Sequence, residues 1–398
     1  MSNWIFFNRK NKKMNLSVIR ICFIDFFAYP LFNPKSKIVF GGAQIQLYLL
    51  TQELSKDKRF DISFLTDNRQ NSRQDIFKKI KVYQFLRSPK TKGIKKELIN
   101  FIFKIPFLGY IVFLIRLFVQ IKKINSQVYI QRAASAETGL IALISKILRK
   151  KFIFMVAHEQ DVNNDFVKKN GFKGKLFLLG LKLANKIICQ TKEQQIQLNK
   201  DLKHKSLVIP SGYPIKKQSS FSKIKKQGIL WVARAESWKN PELFINLSKK
   251  FPKEKFTMIC PPAESNPNYF KVIRKKAQKV NNLTFIKQVP FNKINSYFKK
   301  AKVFISTSST EGFPNTFIQA GKNMTPIISF KVNPDKIITK YQLGFCAKGK
   351  EDLLLTSLKK ILTNQKLWFK FSINAYQYVF NHHDLKKTVK SYKEIFLK

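Results

Sequence analysis

Short apolar runs, each followed by a helical pattern, recur along the whole chain and restart after one polar break. Ser17–Asp25, Phe60–Leu65, Val128–Gln131, Phe152–Val156, Lys186–Cys189 and Ser206–Ile209 precede the break. Gly228–Ala233, Phe256–Cys260, Leu283–Ile286, Val303–Ser306 and Pro326–Ser329 follow it. Strands buried on both faces read as continuous apolar stretches, and helices between them cover those faces, so each half is predicted to be a parallel α/β sheet. The break, SGYPIKKQSSFSKIKKQ over 211–227, is polar, basic and weakly patterned, as a linker is. A chain of 398 residues is long enough for two such domains.

Phosphate-binding features cluster in the second half. Val303–Ser306 leads through a Ser/Thr/Gly turn into Glu311-Gly-Phe-Pro-Asn-Thr-Phe-Ile-Gln-Ala320. Proline suits the first helical position and asparagine a cap, so a helix is expected to open at Pro314 and Asn315. Free amides and positive dipole at the carboxyl edge of a parallel sheet attract phosphate. Glu311 and Gln319 flank that point with hydrogen-bonding groups. Upstream, Arg234 directly follows a strand, and Lys239 precedes Asn240-Pro241-Glu242, a cap, N1 proline and first-turn acid. Both cations are expected at the cleft edge, where a diphosphate leaving group needs positive charge. In the first half Gly41-Gly42 opens the first helix, and glycine lets backbone approach a ligand closely.

The Glu311–Ala320 stretch resembles the E-G-x-P-x(4)-E-A signature of family-4 glycosyltransferases, matching at Glu311, Gly312, Pro314 and Ala320 and departing at Gln319. Arg234 and Lys239 resemble that family's G-R-x(4)-K pattern, with Ala233 at the glycine position. Gly41-Gly42 resembles its glycine loop. The resemblance implies a GT-B fold: two Rossmann-like domains facing across a cleft, with a C-terminal helix crossing back to the first. It also implies a retaining, metal-independent hexosyltransferase with no cofactor beyond a nucleotide-diphosphate sugar donor. Glu311, Arg234, Lys239 and His158 are the catalytic candidates. Gly42, Gly312, Phe313, Pro314, Asn315, Thr316 and Gln319 are the donor-binding candidates, Gln319 on the ribose. Arg132 is placed in the same cleft, with Glu159 and Asp161 as weaker candidates for acceptor hydroxyls. No Asp-x-Asp metal motif is found, and His382-His383-Asp384 is read as structural.

The domains read as a basic extension (1–15), an acceptor domain (16–210), the linker (211–227), a nucleotide-sugar domain (228–370) and a helical segment packing back (371–398). The last helical pattern runs from about Leu367 to Phe396. Four widely spaced cysteines with no metal-ligand spacing read as reduced thiols, and the N-terminus, whose apolar stretch before the basic run is short, is not expected to be a secretory signal. The charge is extreme, with 75 Lys+Arg against 23 Asp+Glu and a formal net charge of +52. Such a field attracts anionic surfaces. Cations spread along the whole chain, with no nucleic-acid-binding motif, argue against nucleic acid. Attraction to a membrane face is the favoured reading, the other being the Lys-, Asn-, Ile- and Phe-rich bias of an AT-rich genome. Leu98–Ile121 is strongly apolar, but Lys104, Pro106 and Arg116 interrupt it. It is expected to lie in or near the membrane interface, the other reading being a fully buried core helix. The protein is therefore expected on the cytoplasmic face of a cell membrane, building surface polysaccharide on a glycan or lipid-linked acceptor. A non-catalytic nucleotide-sugar-binding subunit and a polyanion-binding protein are the competing readings.

Overall fold

The computed structural model describes residues 18–33, 40–67, 76–85, 106–217, 226–263 and 266–397. The predicted extension at 1–15, positions 218–225 of the linker and positions 98–105 of the apolar segment lie outside these residues. The first sheet comprises β1 (Ile19–Ile24), β2 (Phe60–Asp67), β3 (Ile76–Phe77), β4 (Ile80–Phe85), β5 (Val128–Arg132), β6 (Lys151–Met155), β7 (Lys186–Cys189) and β8 (Ser206–Val208). Its order is β3-β4-β2-β1-β5-β6-β7-β8, and every pairing is parallel except β3 with β4. The second sheet comprises β9 (Ile229–Val232), β10 (Phe256–Ile259), β11 (Leu283–Ile286), β12 (Val303–Ser306), β13 (Ile327–Ser329) and β14 (Gly344–Cys346). It runs β11-β10-β9-β12-β13-β14, all parallel. Central strands such as β5 and β12 are buried at every residue, which is why their sequences show no polar alternation.

In each sheet the strand order reverses next to the first strand, between β1 and β5 and between β9 and β12. Loops from the carboxyl ends of these strands splay apart there and leave a crevice. Helices cover both faces. In the first lobe α1 (Gly42–Leu54) lies on one side, while α2 (Pro106–Ile124), α3 (Ala136–Ile147), α4 (Asp165–Lys169) and α5 (Gly171–Leu183) lie on the other. In the second lobe α6 (Pro241–Lys250), α7 (Pro267–Gln278) and α8 (Asn315–Gly321) connect successive strands. Cys22, Cys189 and Cys260 are buried free thiols, pushed up to about 12 by desolvation.

The terminal helical pattern breaks into α9 (Gln365–His382) and α10 (Leu385–Phe396). His383 is buried between them, and the Asp384 carboxylate accepts from the Lys386 amide to start α10 afresh. α9 stays with the second lobe, against α8; α10 crosses to the first and packs on α1. A Lys393–Asp57 ion pair of 2.7 Å and the Phe60–Phe396 ring contact fasten it there. The two chain crossings are hydrogen-bonded to each other: the Tyr213 amide donates to the His383 carbonyl (2.8 Å) and the Leu385 amide to the Tyr213 carbonyl (2.9 Å). So the first residues of the expected linker are packed.

α2 corrects the fully buried reading. Leu117 and Ile121 are completely buried against the first sheet, whereas Ile115 and Val119 are more than half exposed. No helix among the described residues is long and apolar enough to cross a membrane.

Candidate active site

The crevice between the lobes is a cavity of about 350 Å³. Gly42, His158, Arg132, Arg234, Lys239, Glu311, Phe313, Pro314, Asn315, Thr316 and Gln319 all line it, although they come from both halves of the sequence. Loop placement explains the convergence. Arg234 leaves the carboxyl end of β9, and Glu311 the loop after β12, its neighbour in the sheet.

Lys239 sits at the end of a 3-10 turn, Ser237–Lys239, which is tied to the β12 loop. Thr307 Oγ1 donates to the Lys239 carbonyl (2.5 Å) and accepts from the buried Trp231 indole N–H (2.8 Å). The Ser309 amide donates to the Trp238 carbonyl (2.8 Å). This lattice brings the Lys239 ammonium onto Glu311 Oε1, which also accepts from Ser308 Oγ (2.9 Å). Both side chains are about 15 % exposed, so the pair is held in place yet open to a ligand from the cleft. Among the described residues lining the cleft, Glu311 is the one carboxylate.

Two local expectations need correction. Pro314 is the N-cap residue of α8 and Asn315 its first helical residue, with no side-chain cap. The Asn315 side chain reaches across the cleft instead: its Nδ2 donates to the Gly42 carbonyl (2.8 Å) and its Oδ1 accepts from Gln46 (2.9 Å). Asn240 likewise does not cap α6 through its side chain. It adopts a left-handed conformation (φ 45°), and its amide donates to the Thr307 carbonyl (3.1 Å). A partner far along the chain, in the first lobe for Asn315 and in the β12 loop for Asn240, takes the polar side chain from the local cap in both cases.

The lobes touch at the glycines. A β-carbon built on Gly312 would lie 2.2 Å from the Ala157 carbonyl oxygen, so Gly312 does not line the cleft but lets the Glu311 loop meet the His158 loop. A β-carbon on Gly42 would lie 2.6 Å from Asn315 Nδ2, and one on Gly41 would lie 3.9 Å from the Arg234 guanidinium. Further clasps run between the lobes. Thr310 Oγ1 donates to the Glu159 carboxylate (2.9 Å), and the Lys192 and Glu193 amides donate to Asp335 (2.9 Å each).

Asp161 is buried and accepts from the amides of Ala157 (2.8 Å), His158 (3.0 Å) and Ala134 (3.4 Å). Burial pushes its carboxyl above the usual range, against the pull of those bonds. It holds the His158 loop and offers nothing to an acceptor, and Glu159 serves the clasp; both differ from the expectation. His158 itself faces the cleft, its Nδ1 accepting from the Gln160 amide (3.4 Å). Arg132 lies on the floor, donating to Gln190 Oε1 (2.7 Å) and Ser211 Oγ (3.2 Å). It also borders a second cavity of about 350 Å³, at the β1–β5 reversal, with Asp25, Gln44, Gln131, Ser135 and Glu137. His383 is structural: its Nδ1 pairs with the Ser211 carbonyl (2.7 Å) and its ring lies 4.5 Å from Phe313.

Trp238, Ser308 and the run Gln288, Val289 and Phe291 also line the cleft, none of them expected from the sequence. Only the last left a signal, since it directly follows the apolar run of β11.

Residues 213–378 match the model of a family described as Glycosyl transferases group 1. The second lobe is thus similar to a group 1 glycosyltransferase domain. The whole fold is GT-B. Sucrose-phosphate synthase from Thermosynechococcus elongatus superposes with a TM-score of 0.73 at 13% identity, covering 95% of this chain and 98% of that one. Anabaena HepE in complex with UDP-glucose gives 0.70 at 14%, covering 95% and 99%. In sequence, an uncharacterized glycosyltransferase of Methanocaldococcus jannaschii is 24% identical over 386 residues, 89% of this chain and 94% of its own length.

Proposed function

We propose that the protein is a retaining, metal-independent hexosyltransferase that moves a sugar from a nucleotide-diphosphate donor onto a glycan or lipid-linked acceptor in surface polysaccharide synthesis. The observation that carries this reading is the convergence of Arg234, Lys239 and Glu311 in one cleft facing a glycine-gated first lobe. The HepE likeness favours a uridine diphosphate sugar as donor. Its diphosphate meets Arg234, the ammonium of Lys239 and the amides that open α8, which neutralise the charge developing on the leaving group. Ribose hydroxyls meet Gln319, whose amide both donates and accepts. Glu311, released from Lys239 as the phosphate takes that cation, orients the donor sugar.

The acceptor enters from the first lobe, through the cavity bordered by Asp25, Gln131 and Arg132. Its hydroxyl oxygen attacks the anomeric carbon on the face that the leaving phosphate vacates. The bond to the β-phosphate oxygen breaks, and that oxygen takes the hydroxyl proton. With Glu311 as the one cleft carboxylate among the described residues, a two-carboxylate double displacement has no second partner.

A thermal-shift screen against a panel of nucleotide sugars tests the reading, because a bound donor raises the melting point by mass action. One donor should stand out, and Arg234→Ala should erase its shift. Glu311→Gln should keep binding and abolish release of nucleotide from that donor. A shift indifferent to Arg234→Ala would displace the phosphate from this cleft, and turnover surviving Glu311→Gln would remove Glu311 from the chemistry.

A further inference from the structure

The helical layer α2–α5 on the first lobe carries more apolar surface outward than its packing requires. Inward residues of α2, α3 and α5 (Leu117, Ile121, Leu140, Ile144, Phe177, Leu181) share one core against the first sheet. Ile111, Ile115 and Val119 point the other way on α2, four residues apart and 38 %, 57 % and 59 % exposed. That spacing is a single stripe on a helix, and it ends in the exposed pair Lys122–Lys123. On the same layer Phe172 is 66 % and Leu179 37 % exposed on α5, and Ile147 is 60 % exposed at the end of α3. The four helices hold nine Lys or Arg, three on α2, one on α3, two on α4 and three on α5, against two acids, Glu137 and Asp165.

We propose that this face docks on an anionic lipid bilayer, with Ile111, Ile115, Val119 and Phe172 entering the headgroup–acyl boundary and the lysines on lipid phosphates. Charge and polarity distinguish three occupants of this face. A second copy of this chain would set one cationic face against another. A nucleic acid satisfies the lysines but gives the aliphatic stripe no apolar phase. A bilayer with acidic headgroups satisfies both, as an amphipathic interfacial helix does. The docked face adjoins the acceptor entrance: Lys173, next to the exposed Phe172, lines the second cavity beside Arg132 and Glu137. An acceptor anchored in that bilayer reaches the cavity without leaving the lipid, which narrows the acceptor class to lipid-linked glycans. This step rests on the glycosyltransferase reading, but the docking itself does not.

Co-sedimentation of the full chain with vesicles tests it, using phosphatidylcholine alone and phosphatidylcholine with roughly a third phosphatidylglycerol. The protein should bind the anionic vesicles at least about tenfold more tightly, and added salt should weaken binding. Ile115→Asp with Val119→Asp should weaken it at least about tenfold, and Lys122→Glu with Lys123→Glu should do so with a smaller salt dependence. Val272→Asp, a 46 % exposed apolar position on α7 of the other lobe, should leave it within about twofold. The donor-induced thermal shift, unchanged in all three variants, reports that they fold and keeps this test separate from that of the donor site. Vesicle binding indifferent to the Ile115/Val119 change, or equal on neutral lipid, would overturn the proposal. So would a dimer that this change dissolves, or RNA bound more tightly than anionic vesicles at equal salt.

Discussion

Replacing Gly312 with alanine probes the contact on which the assembled cleft depends. The added β-carbon would sit 2.2 Å from the Ala157 carbonyl oxygen, 2.9 Å from its carbon and 2.9 Å from Gln190 Nε2. Two of these three neighbours are backbone, so no rotamer change relieves the overlap. Either lobe can keep its own fold if the two separate by an ångström or so, and the cost then falls on closure. Overpacking of this kind costs about 1–3 kcal/mol, and each 1.36 kcal/mol is about a factor of ten. Because Glu311 and His158 flank the contact, that cost falls on the state in which both reach the donor sugar. Release of nucleotide from the preferred donor should therefore slow by about ten- to a hundredfold. Binding of the nucleotide alone, proposed to rest on the second lobe, should change by less than about threefold. Steady-state kinetics and titration calorimetry on the same preparations separate the two. Undiminished turnover, or equal losses in turnover and nucleotide affinity, would refute the idea that Gly312 works through closure.

Gln319→Glu restores the acid that related signatures carry at a buried position of the cleft wall. A carboxylate accepts from both ribose hydroxyls, so calorimetry should find the nucleotide bound several-fold more tightly, by about 1 kcal/mol for a charge-assisted bond; weaker binding would mean that Gln319 does not face the ribose. His383 gives a pH signature, since burial pushes its imidazole from 6.5 down to about 4. Its folded value lies below its unfolded one, so the unfolded chain binds more protons between them. Its contribution is complete above about pH 6.5, fades as pH falls toward 4, and amounts to about 3 kcal/mol at most. Urea unfolding of the wild type should show that loss and His383→Gln should flatten it; parallel pH profiles would refute the assignment.

Strand positions were legible because strands buried on both faces leave long apolar runs, and the ends of β7, β11 and β12 fall where the sequence placed them. The β3–β4 hairpin and β14 were not: β3 and β14 are edge strands of two and three residues, and β4 mixes buried residues with exposed and half-buried ones, so neither leaves a continuous apolar run. The site was legible as a set of residues and illegible as a set of partners. Arg234, Lys239 and Glu311 were recognisable by spacing and sheet edge, but their pairing depends on β9 and β12 being neighbours, which is a property of the strand order. Asn240 and Asn315 misled for one reason: each looked like a helix cap by local rules, and each is claimed by a group far along the chain. In α2 composition announced apolarity but could not divide it, and only the sheet behind it separates Leu117 from Ile115.

The parallel bridge between Tyr213 and Asp384 has a mechanical corollary. Where two connectors between bodies are independent, the bodies can slide, twist or bend past each other. Here a β-carbon on Gly212 would fall 2.8 Å from Thr388 Oγ1, so the connectors are sutured side by side. Side-by-side connectors of this kind are expected to confine relative motion to a swing about the suture, with the far rim of the cleft travelling most. Trimming the chain at His383 would leave a single connector, and the two halves would lose the suture that holds them in register.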